Sequence, residues 1–143
     1  MKSVLISLHP KWVGLILNGR KTIEVRKRAP RLQVPFKLYL YCTKEKEPSW
    51  LVGIRGKRES YKMNGLICGE VTCVGITEDK PPFREKLDGT CLTAKELYAY
   101  VGVNDKLCFM RLQDPITYDK PKSLKDFGQD SPPQSWRYVE VEE

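Results

Sequence analysis

The sequence predicts an α+β fold in which a small, mostly antiparallel β-barrel of five or six strands carries two or three flanking helices. Five or six short segments alternate apolar and polar residues as half-buried strands do, whereas only two segments have helical periodicity. Long loops rather than crossover helices join most of the strands, which argues against a doubly wound parallel sheet. We expect the 143 residues to form one domain, 1–143.

The N-terminal part of the chain predicts a strand followed by a short helix. Residues 3–8 are an apolar strand candidate, and Pro10 suits the first turn of a helix. The apolar residues from Trp12 to Leu17 give this helix a broad apolar surface. Asn18-Gly19 should end it, since both residues tolerate the left-handed conformation found at helix C-termini.

The segment 21–28 changes from a helical to a two-residue period. Ile23 and Val25 should therefore point to one face of a strand, with Glu24 and Arg26 on the other. The further strand candidates are Phe36–Thr43, Leu66–Ile76, Leu107–Leu112 and Trp136–Val141.

Three local signals complete the predicted architecture. Gly69 and Gly75 interrupt a strand and indicate bulges or tight corners. Thr93 and Glu96 form a capping box that opens the second helix, and Gly102 closes it. The connection before the last strand is expected to be irregular because it contains the prolines 115, 121, 132 and 133.

The charge is distributed unevenly along the chain. Residues 1–62 carry a net charge of +11 and residues 63–143 a net charge of −4, which gives the overall +7. A polyanion is the partner that such a basic segment favours, and a merely soluble basic protein is the alternative.

The polar segment 44–64 is predicted to be a basic hairpin loop. It interleaves aromatic and cationic side chains, a pattern typical of single-stranded nucleic-acid binding, in which bases stack on rings and cations follow the backbone. The nucleic-acid-binding residues expected there are Trp50, Arg55, Lys57 and Arg58. The alternative is a solvated loop whose Trp50 packs back onto the barrel.

Several classes of function are excluded on composition. The five cysteines form no Cys-x-x-Cys pair, and His9 is the only histidine, so we expect no metal site and no cofactor. No window approaches the roughly 18 apolar residues that span a bilayer, and the N-terminal apolar run is too short for a signal peptide. A cytoplasmic protein with reduced, buried cysteines is predicted.

The residues that follow the first helix are the strongest candidates for a site. Glu24 and Arg26 lie two positions apart on one strand, so their side chains can converge. They form either an ordinary surface ion pair or part of a cleft in which Arg26 binds phosphate and Glu24 holds it in place. His9, at the start of the first helix, is expected to serve as a cap or in packing.

The motif Gly19-x-Lys21-x-x-Glu24-x-Arg26, preceded by an apolar helix, resembles the Gly-x-Lys-x-x-Glu-x-Arg signature of the ASCH (activating signal cointegrator homology) family. The resemblance implies a PUA-like barrel and a cleft that binds RNA or a nucleotide. Lys21, Glu24 and Arg26 would line that cleft. The closing segment Gln134-Ser135-Trp136 also looks like the family's, and its polar pair and indole would bracket a base.

Some bacterial relatives in this family look like amidohydrolases that remove an acyl group from modified cytidine. Their active site combines a lysine, a threonine three residues later and a distant glutamate. Lys21 matches the lysine and would be the catalytic residue, whereas Glu24 occupies the threonine position, a departure from that pattern. Asp88, followed by Glu85, is the nearest counterpart of the glutamate.

Overall fold

The computed structural model describes residues 1–52, 60–83, 87–102 and 106–142. It confirms the α+β class. The helices and strands are, in chain order, β1 (Lys2–Leu8), α1 (Pro10–Leu17), β2 (Ile23–Arg26), β3 (Phe36–Cys42), β4 (Trp50–Val52), β5 (Ser60–Lys62), β6 (Ile67–Asp79), α2 (Ala94–Val101), β7 (Leu107–Lys122) and β8 (Trp136–Glu140). Short 3₁₀ turns lie at Asp88–Thr90 and Leu124–Phe127.

Six strands form one sheet in the order β2-β7-β6-β3-β1-β8. All neighbours are antiparallel except β1 and β3, which run parallel. Within the described residues, β2 and β8 are the two edges of the sheet and do not pair with each other. The predicted barrel is therefore not closed, and we call the gap between β2 and β8 the open side of the sheet. The hairpin predicted in 44–64 pairs β4 with β5 as a separate two-stranded sheet.

The two helices cover different parts of the sheet. Val13 and Ile16 of α1 are buried in the main core, which lies against β1, β3 and β6. Leu97 and Val101 of α2 pack in a second cluster with the apolar face of β2 and with the start of β7, where Phe109 is fully buried. Helix α2 therefore packs on β2, the strand that carries Glu24 and Arg26 of the sequence motif.

The ends of the helices follow the sequence signals. α1 stops at Asn18, and Gly19 adopts a positive φ of 84°. Thr93 and Glu96 make the reciprocal hydrogen bonds of a capping box at the start of α2. No helix among the described residues combines the length and the apolar character needed to cross a membrane.

Strand β7 is longer than the sequence predicts, because the prolines at 115 and 121 do not interrupt it. Among the described residues, β2 pairs only with Cys108–Arg111, so the later part of β7 has β6 on one side and no strand on the other. Proline is tolerated at such an edge, where its missing N–H breaks no ladder bond. The prediction of an irregular connection is wrong for this stretch.

The predicted bulges at Gly69 and Gly75 are confirmed, since the β6–β7 register shifts beside each of them. At Gly69 a Cβ atom would collide with the Ile116 carbonyl oxygen and lie 2.7 Å from Leu17 Cδ2. The absence of a side chain therefore allows α1 and β7 to approach the same point of β6.

We expect Gly69→Ala to lower the free energy of unfolding by about 1–3 kcal/mol, because the backbone it meets cannot move aside cheaply. Gly14→Ala is the matched control. A Cβ at Gly14, inside α1, meets nothing within 4 Å, so this variant should gain about 0.5–1 kcal/mol from helix propensity. Urea denaturation measures both, and equal effects would contradict the close-approach explanation.

Candidate functional site

A cleft of about 600 Å³ opens between the start of α1, β2 and α2. It takes residues from the end of β1, from α1, from the motif, from α2 and from the segment before β8. The lining residues are Ser7, Leu8, His9, Trp12, Lys21, Glu24, Val25, Arg26, Thr43, Leu92, Glu96, Ala99, Tyr100 and Gln134. The three charged residues of the motif thus share one concavity.

Backbone hydrogen bonds fix the turn that brings Lys21 into the cleft. Lys21 N donates to the Leu15 carbonyl at 2.9 Å, which folds the turn back onto α1. Thr22 N donates to the Gly89 carbonyl at 2.9 Å, and Leu112 N donates to the Thr22 carbonyl at 2.8 Å. The turn is therefore held by α1, by the 3₁₀ turn and by β7.

Glu24 forms the centre of a buried ion cluster. Its Oε1 lies 3.4 Å from Lys21 Nζ, and its Oε2 accepts from Arg26 Nε at 3.0 Å and Nη2 at 2.8 Å. The exposed fractions of the Lys21, Glu24 and Arg26 side chains are 2%, 7% and 13%. The sequence left open whether Glu24 and Arg26 form a surface ion pair, and this burial rules that alternative out.

Lys21 has two further partners. Its ammonium donates to the Thr90 carbonyl oxygen and lies 5.0 Å from the centroid of the Trp12 ring. A carboxylate, a carbonyl oxygen and an aromatic face therefore surround the ammonium group. The chain thus places a fixed cation at the base of the cleft.

The guanidinium of Arg26 donates its hydrogen bonds to protein atoms. Besides the two bonds to Glu24, Nη2 donates to the Ser7 carbonyl at 2.9 Å and Nη1 donates to Ser135 Oγ at 3.0 Å. A longer bond of 3.4 Å joins Nη1 to the Ser135 carbonyl. Arg26 therefore ties β2 to β1 and to the start of β8 across the open side of the sheet.

The remaining walls of the cleft are largely apolar. Val25 and Leu92 contribute aliphatic surface, and Trp12 and Tyr100 contribute rings. Among the described lining residues the formal charges balance, since Glu96 adds a second carboxylate. An apolar surface opposite fixed donors and acceptors, with no excess charge, can hold a planar polar group such as a nucleobase.

His9 occupies the N-cap position of α1, where its carbonyl accepts from Trp12 N and Val13 N, but its side chain makes no capping hydrogen bond. Its Nδ1 instead lies 2.7 Å from Glu45 Oε1, which also accepts from Thr43 Oγ1 at 3.1 Å. The hydrogen bond with His9, and to a smaller extent the one from Thr43, lowers the pKa of the Glu45 carboxyl. No local sequence pattern indicates this pair, since 36 positions separate the two residues.

The other predicted site residues are scattered. Gln134 lines the cleft, but Trp136 lies in an adjoining groove, with its Nε1 donating to the Arg28 carbonyl at 2.9 Å. Asp88 is exposed and does not line the cleft. Arg55, Lys57, Arg58 and Glu85 lie outside the described residues, as does the side chain of Trp50.

Two residues of the site, Trp12 and Thr90, could not be predicted from the sequence. Trp12 belongs to the apolar helix pattern, and such a pattern does not separate a core face from a cleft wall. Thr90 acts through its backbone carbonyl, which no side-chain pattern can indicate. Among the described residues, no group of three or more histidine, cysteine or acidic side chains could hold a metal ion.

We expect Glu24→Gln to lower the free energy of unfolding by about 3–5 kcal/mol, because it leaves Lys21 and Arg26 buried without their counter-ion. The matched control is Glu142→Gln, an exposed acid that should change stability by less than about 0.5 kcal/mol. The midpoint of urea denaturation measures both variants. A Glu24→Gln midpoint equal to wild type would show that the cluster does not depend on the carboxylate.

Comparisons with known proteins agree on one family. A curated relative, an ASCH domain-containing ribonuclease of Zymomonas mobilis, is 24% identical over 147 residues, which cover 99% of this chain and 87% of the relative. The crystal structure of the ASCH protein of Zymomonas mobilis superposes with a TM-score of 0.72 at 20% identity, over 96% of this chain and 87% of that one.

A tyrosine-to-phenylalanine variant of the same protein gives a TM-score of 0.73 at 20% identity, over 98% of this chain and 91% of that one. At this level of identity the solved structures support the fold alone. The family model of the ASCH domain matches residues 6–123, which is most of the sequence and includes the whole motif. The chain therefore belongs to the ASCH domain family.

Proposed function

We propose that this protein binds single-stranded RNA and holds one of its nucleotides in the motif cleft. The observation that carries the proposal is the Lys21–Glu24–Arg26 cluster, buried at the base of a cleft whose other walls are apolar and aromatic. The Zymomonas relative is named a ribonuclease, which supports RNA as the ligand class.

Lys21 and Glu24 supply opposite hydrogen-bonding functions to the nucleotide. The carboxylate of Glu24 accepts from an exocyclic amino group, and the ammonium of Lys21 donates to a carbonyl oxygen of the base or to a phosphate. A cytosine-like edge presents both groups. Since Arg26 already donates five hydrogen bonds to protein atoms, we assign it mainly to holding Glu24 in place. Direct contact between Arg26 and phosphate stays a prediction.

Trp12 and Tyr100 give the base an apolar surface in the same cleft as the ion cluster. Contact between a base and an aromatic side chain contributes about 1–3 kcal/mol and tolerates many sequences. The basic hairpin adds attraction that does not depend on sequence. Its residues Arg55, Lys57, Arg58 and Trp50 keep the nucleic-acid-binding role predicted for them.

The second candidate function is hydrolysis of an acylated cytidine with Lys21 as catalytic residue. The observation in its favour is the position of Lys21 at the base of a cleft that holds a further carboxylate, Glu96. However, Glu96 already accepts a hydrogen bond from Thr93 N, and Lys21 Nζ already donates to the Thr90 carbonyl and pairs with Glu24. A lysine acts as nucleophile or base only when it is deprotonated. RNA binding is therefore the better-supported function.

We expect Lys21→Ala to weaken RNA binding about tenfold or more, because it removes a charge-assisted hydrogen bond at the base of the cleft. Fluorescence anisotropy with a labelled single-stranded RNA measures the affinity. Lys125→Ala, which removes an exposed lysine outside the cleft, is the matched control and should bind like wild type. Tyr100→Ala, on the exposed rim, tests the same cleft without disturbing buried charge.

Salt dependence provides an independent check of the proposal. Each phosphate neutralised on a single strand contributes roughly −0.7 to the slope of log affinity against log salt. Wild-type binding that is absent at low salt, or unaffected by both Lys21→Ala and Tyr100→Ala, would contradict the proposal. A denaturing gel of the recovered RNA shows whether binding extends to cleavage.

We expect no release of cytidine when the protein is incubated with an acylated cytidine, since Lys21 Nζ is already held by Glu24 and the Thr90 carbonyl. Chromatography of the products measures free cytidine. Turnover that disappears in Lys21→Ala would favour the hydrolase instead. Turnover that persists in Lys21→Ala would point to a contaminating enzyme rather than to this cleft.

A further inference from the structure

We propose that the groove beside the motif cleft is a second subsite, in which Arg28 stacked on Trp136 binds the phosphate of the neighbouring RNA nucleotide. This inference rests on the proposed function and extends it, since it names where the strand continues after the first nucleotide. The groove has a volume of about 610 Å³. It is lined by Arg28, by the segment 131–135, by Trp136 and by Arg137.

The groove and the cleft are neighbours. Gln134 lines both of them. Ser135, which lines the groove, accepts the hydrogen bond from Arg26 of the ion cluster. A strand whose base occupies the cleft therefore has its backbone next to Gln134, at the entrance to the groove.

The two depressions differ in charge. In the cleft, Glu24 and Glu96 balance Lys21 and Arg26. The described lining of the groove contains two guanidinium groups, those of Arg28 and Arg137, and no carboxylate. The neutral cleft matches an uncharged base, whereas the cationic groove matches a phosphate.

Arg28 has the free donors that Arg26 lacks. Its side chain is exposed, and within the described residues its guanidinium forms no hydrogen bond or ion pair with the protein. All five hydrogen bonds of Arg26, by contrast, end on protein atoms. The phosphate contact that the motif alone assigns to Arg26 is thus better placed two residues later.

Trp136 holds Arg28 ready for binding. The guanidinium carbon lies 4.6 Å from the centroid of the indole ring, and Trp136 Nε1 donates to the Arg28 carbonyl at 2.9 Å. A guanidinium stacked on an aromatic face keeps its N–H edge available for a two-pronged bond to phosphate. Because stacking already restricts the side chain, less conformational entropy is lost on binding.

Arg137 supplies the second charge with part of its donors occupied. Its Nη1 donates to Gln129 Oε1 at 2.8 Å and to the Ser131 carbonyl at 3.0 Å. These bonds fix the guanidinium against the wall of the groove. Arg28 is therefore the group that reaches the ligand, and Arg137 reinforces the local positive potential.

A purely structural explanation makes a different prediction. The Trp136 and Tyr138 rings lie 5.1 Å apart and pack against the main core near the open side of the sheet. If Arg28 only covers the Trp136 and Tyr138 rings, its removal should lower the free energy of unfolding and leave the affinity for RNA unchanged. If it binds phosphate, its removal should lower affinity for RNA longer than one nucleotide.

The test compares a nucleoside monophosphate with a six-nucleotide single-stranded RNA on wild type, Arg28→Ala, Arg28→Lys and Lys120→Ala, by isothermal titration at several salt concentrations. Arg28→Ala should weaken hexanucleotide binding about tenfold, the change expected for one charge-assisted contact. It should also reduce the salt slope by about 0.7. Monophosphate affinity should change less than about twofold, because the cleft alone holds that ligand.

Arg28→Lys should restore the salt slope but only part of the affinity for the hexanucleotide. Lysine keeps the positive charge but lacks the planar guanidinium that stacks on Trp136 and makes two parallel hydrogen bonds to phosphate. Lys120→Ala, which removes an exposed cation elsewhere, should match wild type. An Arg28→Ala protein with unchanged hexanucleotide affinity overturns the subsite while leaving the cleft proposal standing. Wild type that binds neither ligand overturns both. Displacement of the RNA by poly-glutamate at equal charge would indicate an acidic protein partner and overturn the subsite.

Discussion

The carboxylate of Glu24, buried between an ammonium and a guanidinium, is the interaction on which the rest of the structure depends. Removing three charges from water costs free energy that only close hydrogen bonds offset. Here each charge finds them, with Thr90, Ser7 and Ser135 supplying the partners outside the cluster. The cluster therefore connects the turn after α1, the 3₁₀ turn, β1 and the start of β8, and it spans the open side of the sheet.

This connection means that the candidate site and the closure of the fold are the same set of bonds. Arg26 links β2 to the opposite edge of the sheet, where no ladder bonds join β2 and β8 among the described residues. The five N–H donors of its guanidinium are all bonded to protein atoms as a result. Lys21 and Arg26 form a buried pair with fixed geometry, whereas the exposed guanidinium of Arg28 has no hydrogen bond or ion pair among the described residues. The proposed base-binding cleft and the proposed phosphate-binding groove differ in this respect.

The sequence predicted the strands and helices because each signal was local. The two-residue period places Glu24 and Arg26 on one face wherever the strand lies, and the Thr93 cap needs only its own turn. Other features depend on topology. Pro115 stays in β7 because no described strand pairs with the other side of that stretch. Trp136 lies in the groove rather than the cleft because of where β8 begins. No local pattern carries that information.

The charge asymmetry of the sequence does not become a two-sided molecule, because the sheet interleaves the halves of the chain. β2, from the basic half, pairs with β7 from the other, and β8 pairs with β1. The positions of individual residues therefore decide the charge at each site. The charges that line the motif cleft cancel, although the motif is rich in basic residues. The groove is cationic, although most of its lining comes from the acidic half of the chain. Net charge predicts a polyanionic partner, but only the positions of Arg28 and Arg137 indicate where its phosphate would lie.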